Sequence, residues 1–256
     1  TNELVDNGGS GAIKAGVRSD REGYPLNSVF GLRYCGKIQT EEQLKKYVDK
    51  YKNTSTIGTL NNLRLGDNMF EDVNKDGKLT EEDLVYLGTD DPKVQFSINA
   101  GLEWNGFDLA IVFQGAGKRT IWREESTWRI PMRAVYLNTS DQHIGNTWSP
   151  DNPGAFFPAL TNQSELNNYN YQCSSWSVED GAYLRLKNVT LGYSLPASLL
   201  AKTKILSKAR VYVTGSDLWE HSKINDGWDP EANRKGDNSK RYPFLRTVTF
   251  GLNLTF

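Results

Sequence analysis

The sequence predicts an all-β fold: the C-terminal strands of a large antiparallel transmembrane β-barrel with long extracellular loops. Three observations predict it. Several segments near spanning length alternate apolar and polar residues. The connections between them alternate long and short. The last ten residues form a strand that ends on an aromatic, Phe256.

The alternation is clearest from Val94. Val94, Phe96, Ile98, Ala100, Leu102 and Trp104 share one face of a strand, and Gln95, Ser97, Asn99, Gly101 and Glu103 share the other. Asn105-Gly106 then predicts a two-residue type I′ turn, because both central residues of that turn need positive φ. The returning strand puts Phe107, Leu109, Ile111 and Phe113 on one face. Pairing Trp104 with Phe107 brings the two apolar faces together, so pattern and turn agree on one register. Three more strands are expected at 182–195 (Val189, Leu191, Tyr193, Leu195), at 209–220 (Val211, Val213, Gly215, Trp219) and at the C-terminus (Val248, Phe250, Leu252, Leu254, Phe256). An earlier strand is expected over Ser28 to Cys35. A helix is expected from Thr40 to about Tyr51, with Thr40 as N-cap and Gln43 closing a capping box.

These strands leave a long connection at 36–92, a hairpin at 93–114, a long connection at 115–181, and the last three strands within 182–256. If the final strand descends to a periplasmic C-terminus, counting back strand by strand puts 221–245, 115–181 and 36–92 all outside the cell. One side then carries the long loops and the other the short turns, as outer-membrane barrels do. A soluble β-sandwich alternates as well, but loops of more than fifty residues are uncommon in compact soluble domains.

Composition sets the outer limits. The net charge of -1 gives no electrostatic draw toward nucleic acid. No run reaches the ~18 apolar residues of a spanning helix, and a mean hydropathy of -0.59 is compatible with a barrel, in which only alternate residues face lipid. Aromatics are plentiful, with 7 Trp, 12 Tyr and 10 Phe, many of them at strand ends. The first residues, polar and Gly-rich from Thr1, read as an internal point of a longer chain. Cys35 and Cys173 fit no metal-ligand spacing and leave a disulfide open.

The ligand motif is Asp72-Val-Asn74-Lys-Asp76-Gly77-Lys78-Leu-Thr-Glu-Glu-Asp83. Oxygen-bearing side chains at positions one, three and five, Gly at six and a carboxylate at twelve fit an EF-hand-type calcium loop. Asp72, Asn74, Asp76 and Asp83 would ligate Ca²⁺ through side chains and Lys78 through its carbonyl. Asp83 stands where Glu is usual, and the flank Gly66-Asp-Asn-Met-Phe70 is a poor helix. The bland reading is an Asx-rich turn held by its own hydrogen bonds; either way the loop would stiffen a long connection. No catalytic constellation appears: His143 and His221 lie in no metal or nucleophile motif, and Gly115-Ala-Gly-Lys-Arg-Thr120 lacks the phosphate-loop spacing. Enzymatic activity is therefore not expected. Trp122, Trp128, Trp148, Trp176 and Trp228 would line a ligand path or contact a partner that covers the loops, and the stretches at Trp148–Pro153 and Trp228–Glu231 also read as loop punctuation. At the C-terminus, Gly251, Leu254 and Phe256 resemble the signal read by barrel-assembly machinery, whose physical basis is an open strand that docks by edge pairing.

Taken in order, several stretches resemble the C-terminal portion of SusC/RagA-type TonB-dependent outer-membrane transporters of Bacteroidota. They are Gly66-Asp67 with Asp72-Val-Asn-Lys-Asp-Gly77, Leu87-Gly88, Asp91-Pro92, Phe107-Asp-Leu109, Trp148-Ser-Pro-Asp-Asn-Pro153, Asp180-Gly-Ala-Tyr-Leu-Arg-Leu-Lys-Asn-Val-Thr-Leu-Gly-Tyr193, Asp229-Pro-Glu231, Tyr242-Pro243 and Phe250-Gly-Leu-Asn-Leu-Thr-Phe256. The resemblance covers 24–256. It implies a barrel of about 22 strands with a plugged lumen, an outer-membrane location and membrane lipid around the strands. It also implies import of glycans or peptides, a SusD-like surface lipoprotein as partner, and energy from a TonB complex reached through a missing N-terminal part. Six strands would not close such a barrel alone. The alternative is a secreted, calcium-stabilised glycan-binding β-module.

Overall fold

The computed structural model describes residues 3–5, 18–19, 21–58, 60–122, 139–203, 205–224, 228–231 and 245–256. In chain order the elements are β1 Arg18–Ser19, β2 Ser28–Gly31, β3 Tyr34–Lys37, α1 Glu41–Tyr51, β4 Asn68–Phe70, β5 Val85–Thr89, β6 Gln95–Trp104, β7 Phe107–Ala116, β8 Thr120–Ile121, α2 Ser164–Asn170, β9 Glu179–Asp180, β10 Tyr183–Ser194, α3 Ala197–Leu200, β11 Lys208–Ser222 and β12 Thr247–Thr255, with single 3₁₀ turns at Glu81–Asp83 and Asp141–His143. They form two compact units. Described residues of 1–91 and 120–179 make the first, and those of 92–119, 180–231 and 245–256 the second.

The second unit is one antiparallel sheet in the order β12-β11-β10-β7-β6. Asn105 (φ 48°) and Gly106 (φ 87°) both take positive φ, the signature of the type I′ turn, and Trp104 faces Phe107 as the pattern requires. Cross-strand pairing then aligns whole rows. Leu102, Leu109, Leu191, Val213 and Phe250 lie side by side across all five strands. Above and below run Ala100-Ile111-Val189-Gly215-Val248 and Trp104-Phe107-Tyr193-Val211-Leu252. The opposite face carries Ala110, Thr190, Thr214 and Thr249 in one row and Val112, Asn188, Ser216 and Thr247 in the next.

In β10 the apolar phase breaks: Leu184 and Leu186 are even-numbered, whereas Val189 and Leu191 are odd. The structure resolves this with an irregularity between Leu186 and Asn188. Lys187 drops out of the ladder against Asp217 and Leu218 of β11, and Asp217 takes φ 56°. One extra residue in a strand resets the alternation. Leu184 and Leu186 thereby join the apolar face, and Arg185 goes to the polar one.

The apolar face is uncovered. Phe250, at 81% exposed, and Ile98, Leu102, Trp104 and Leu252 are all open. From Phe96 to Trp104 it extends about 27 Å along the strand, which at a tilt of about 40° spans roughly 21 Å of depth, most of an apolar band about 25 Å tall. Aromatics sit at both ends, Trp104, Phe107 and Tyr193 at the hairpin end and Phe96 and Trp219 at the other. β6 and β12 each pair on one side only among the described residues, so the sheet has two open edges.

The first unit has a conventional core. Phe30, Leu32, Ile38, Phe70, Leu79 and Leu166 are buried together, and Tyr47 of α1 meets Tyr169 of α2 through their hydroxyls at 2.9 Å. Thr40 caps α1 by accepting from the Gln43 N–H at 3.2 Å, and Gln43 Oε1 accepts from Gln39 N–H, one residue ahead of the box the sequence suggests. The strand expected over 28–35 is corrected. It is two short strands, β2 and β3, and neither belongs to the five-stranded sheet. All four residues of β2 are buried, which a strand with one wet or lipid face does not show. A Cβ on Gly31 would stand 2.7 Å from the Cys173 carbonyl oxygen, beside the Leu32–Ser174 bridge. Glycine there lets two backbones close up and ends the strand. Residues 36–92 are thus largely folded structure rather than irregular loop.

Candidate functional site

Calcium-type residues come first. Asp72 Oδ2 accepts from Gly77 N–H at 3.0 Å, Asn74 Oδ1 from Asp76 N–H at 3.0 Å, and Asp76 Oδ1 from Lys78 N–H at 2.8 Å. Gly77 takes φ 80°. Asp83, fully buried, spends its carboxylate on backbone: Oδ1 accepts from Val73 and Asn74, and Oδ2 from Thr80. With Thr80 it forms the capping box of the Glu81–Asp83 turn. Asp83 is therefore the clamp that closes the loop, and its carboxylate does not converge with those of Asp72 and Asp76. Among the described residues no three His, Cys, Asp or Glu side chains are gathered for a metal. Asp72 Oδ1 is the exception to this self-satisfaction: it is buried without a hydrogen-bond partner. Burial pushes the Asp72 carboxyl upward, but the Gly77 N–H and the Lys50 ammonium outweigh it and hold the group below the usual carboxylate range.

The tryptophans do not form a common platform. Trp176 is 9% exposed, enclosed by Phe156, Phe157 and Tyr171, and its Nε1 donates to the Phe156 carbonyl. It is a core residue with no free face for a ligand, contrary to the sequence expectation. Trp148 donates to Gln39 Oε1 at 2.8 Å, and its indole packs on Gly66, where a Cβ would come within 2.3 Å. Trp122 is half-buried after β8, and Trp228 is half-buried in the second unit. Trp128 lies outside the described residues. Phe156, 45% exposed and tilted on Trp176 at 5.3 Å, is the open aromatic of that cluster. His143 is buried against Phe157, and no disulfide joins the exposed Cys35 to the buried Cys173.

At the C-terminus, Gly251 has a local reason. A Cβ there would stand 2.1 Å from the Tyr212 ring, which lies across β12 beneath Arg210. Arg210 in turn reaches over Gly192 to Asp108 on β7. Leu254 and Phe256 are exposed at the end of the open edge strand.

Two polar constellations were not read from sequence. In the first unit, Asn170 of α2 accepts from Asn68 N–H at 2.8 Å, donates to Asp67 Oδ1 at 2.8 Å, and offers its carbonyl to Asn68 Nδ2 at 2.9 Å. Asp67 also accepts from Arg64 N–H; burial raises its pKa, and these donors oppose the rise. In the second unit, Arg185 is 1% exposed on the polar face. It bonds Glu220 on β11, Asp229 Oδ1 at 2.7 Å and Glu231 Oε2 at 2.8 Å. Tyr183 and Lys187 also hold Glu231, at 2.8 and 3.2 Å.

No protein-family profile matches the chain. It is 29% identical over 247 residues to TonB-dependent receptor P3 of Formosa agariphila, covering 92% of this chain and 23% of that protein. The chain is similar to TonB-dependent receptors over most of its length. TonB-dependent receptor P26 of the same organism is 29% identical over 239 residues, and TonB-dependent receptor SusC of Bacteroides thetaiotaomicron is 24% identical over 190. Among solved structures, the RagAB peptide transporter superposes with a TM-score of 0.68 at 22% identity, covering 100% of this chain and 24% of that one. The RagAB peptide importer in its open-open state gives 0.65 at 24% identity. The chain thus spans under a quarter of the length of these relatives. The fold is that of a stretch of their β-barrel, and TonB-dependent receptors reside in the outer membrane. The apolar face of the sheet is accordingly the lipid face and its polar face the barrel interior.

Proposed function

We propose that this chain forms part of an outer-membrane TonB-dependent importer of peptides or glycans that acts with a SusD-like surface lipoprotein. The observation that carries the reading is the five-stranded sheet itself, apolar across its full width on one face and lined with Thr, Ser, Asn and paired charges on the other. That apolar face is exposed in the structure, and lipid on one side with a polar interior on the other would satisfy both faces. The relatives' names, receptors and importers, agree with it and name no enzyme. In cells expressing the full-length protein, a panel of oligopeptides and oligosaccharides should be depleted from the medium only when TonB is present. Depletion that is unchanged without TonB would sink the proposal. Co-purification of a surface lipoprotein tests the partner.

We further propose that the Asp72–Asp83 loop takes Ca²⁺ through the buried, unpartnered Asp72 Oδ1, with Asn74, Asp76 and the Lys78 carbonyl as the other oxygen donors and Asp83 as structural clamp. Calcium should raise the protein's melting temperature and Asp72→Ala should abolish that rise. An identical melting temperature in calcium and in chelator would refute the site. Either result leaves the import reading standing.

A further inference from the structure

We propose that Trp228–Glu231 is an internal strap: this stretch between β11 and β12 lies inside the barrel rim and is pinned to the wall by Arg185. The inference rests on the barrel reading and concerns where the strap lies, not what is imported. Arg185 alternates with Leu184 and Leu186, whose neighbours in the ladder are Gly115, Phe113 and Trp219 of the lipid face. Arg185 and its cross-strand partner Glu220 therefore point inward. Both stand two residues inside the strand ends Tyr183 and Ser222, about 7 Å below the rim. Asp229 and Glu231 bond the Arg185 guanidinium, and Glu231 also bonds Lys187, two residues deeper, so the strap lies against the inner wall beside Arg185.

The strap is built to stay there. Asp229 Oδ1 accepts from both Arg185 Nη2 and its own neighbour Glu231 N–H, which fixes the tight bend around Pro230. Arg119, at the exit of β7, donates to the Pro230 carbonyl at 3.3 Å. Glu231 uses both oxygens, Oε1 on Tyr183 and Oε2 on Arg185 and Lys187. Wall and strap thus share one ion cluster: Arg185 and Lys187 against Glu220, Asp217, Asp229 and Glu231. Charge-assisted bonds to a buried guanidinium are strong, and removing one partner leaves buried charge unpaired. Pro230 is buried. The strap is therefore part of the interior surface that a transported molecule meets on this wall.

The test uses the full-length protein in intact cells, with Cys35→Ser and Cys173→Ser as background. Pro230→Cys is probed with a membrane-impermeant maleimide, and Lys223→Cys, at an exposed position, serves as the reactive reference. Pro230→Cys should be protected, and Arg185→Gln should raise its labelling rate at least tenfold. If Arg185→Gln fails to assemble, as judged by heat-modifiable migration, Glu231→Gln with Asp229→Asn weakens the strap without altering a wall strand and should give the same rise. The proposal is overturned if Pro230→Cys reacts as fast as Lys223→Cys with the cluster intact, or if the weakened strap leaves labelling unchanged. Labelling reads the strap whatever the cells import, so loss of TonB-dependent uptake with a protected Pro230→Cys would count only against the import reading.

Discussion

Replacing Asn170 by Ala is expected to destabilise the first unit by about 3–5 kcal/mol, because two buried polar groups lose their partners at once and a side-chain-sized void remains. Asn68 N–H loses its acceptor and Asp67 Oδ1 loses its donor. Both residues are fully buried, so water does not replace what is lost. The effect should be local first. Amides of 64–70 and 164–171 are expected to exchange with solvent at least about 100-fold faster than in the parent, the rate equivalent of ~3 kcal/mol. Asp67 adds a pH signature. Its folded pKa is already raised by burial, and removing the Asn170 amide raises it further. For a carboxyl with raised folded pKa, the linked stability is present below the unfolded value of about 4 and is lost as pH rises through the folded value. The variant's deficit should therefore shrink in acid. Unchanged exchange, or a deficit that deepens in acid, would contradict this account of the network.

Leu109→Arg is expected to cost about 1–3 kcal/mol of barrel stability, because the penalty for a cation on the lipid face grows from about 0–1 kcal/mol near the interface to about 2–4 at the bilayer midplane. Leu109 is the β7 member of the Leu102-Leu109-Leu191-Val213-Phe250 row, two residues further into the sheet than Phe107. Its neighbour Ala110, one residue along, faces the interior with Thr190. Three substitutions separate a lipid face from an ordinary core. Leu109→Arg should lower the urea midpoint most, Phe107→Arg at the aromatic end should cost about 0–1 kcal/mol, and Thr190→Arg on the polar face should be tolerated. A soluble core penalises a buried arginine at either row without regard to depth. Equal losses at Leu109 and Phe107 would therefore argue against the membrane.

The sheet was legible where period two and turn chemistry coincide. Val94 to Phe113 with Asn105-Gly106 gave strands, turn and register together, because a one-residue slip would have turned every apolar side chain to the wrong face. The irregularity at Lys187 was not read, although the signal exists: Leu184 and Leu186 fall out of phase with Val189 and Leu191, and one extra residue repairs the phase. Ser28 to Cys35 misled because its alternation is interrupted by Gly31, whose need, close approach to the Cys173 carbonyl, is set by a partner more than 140 residues away in sequence. The same distance hid the polar constellations. Glu220, Asp229 and Glu231 converge on Arg185 from another strand and a loop, and Asn170 meets Asp67 and Asn68 across a hundred residues. Asp83 reads as a ligand from its place at position twelve, while the structure spends its carboxylate on backbone N–H groups; Thr80, three residues ahead of it, marks the capping box.

The apolar face of the five-stranded sheet lies in lipid. The most direct measurement places single spin labels at 248–254 of β12 in the reconstituted full-length protein and reads their accessibility to oxygen, which concentrates in lipid, against a water-soluble nickel chelate. Val248, Phe250, Leu252 and Leu254 should favour oxygen and Thr249, Gly251 and Asn253 the chelate, in strict alternation. Labels at 250 and 252 that favour the chelate, or that are shielded from both, would contradict it.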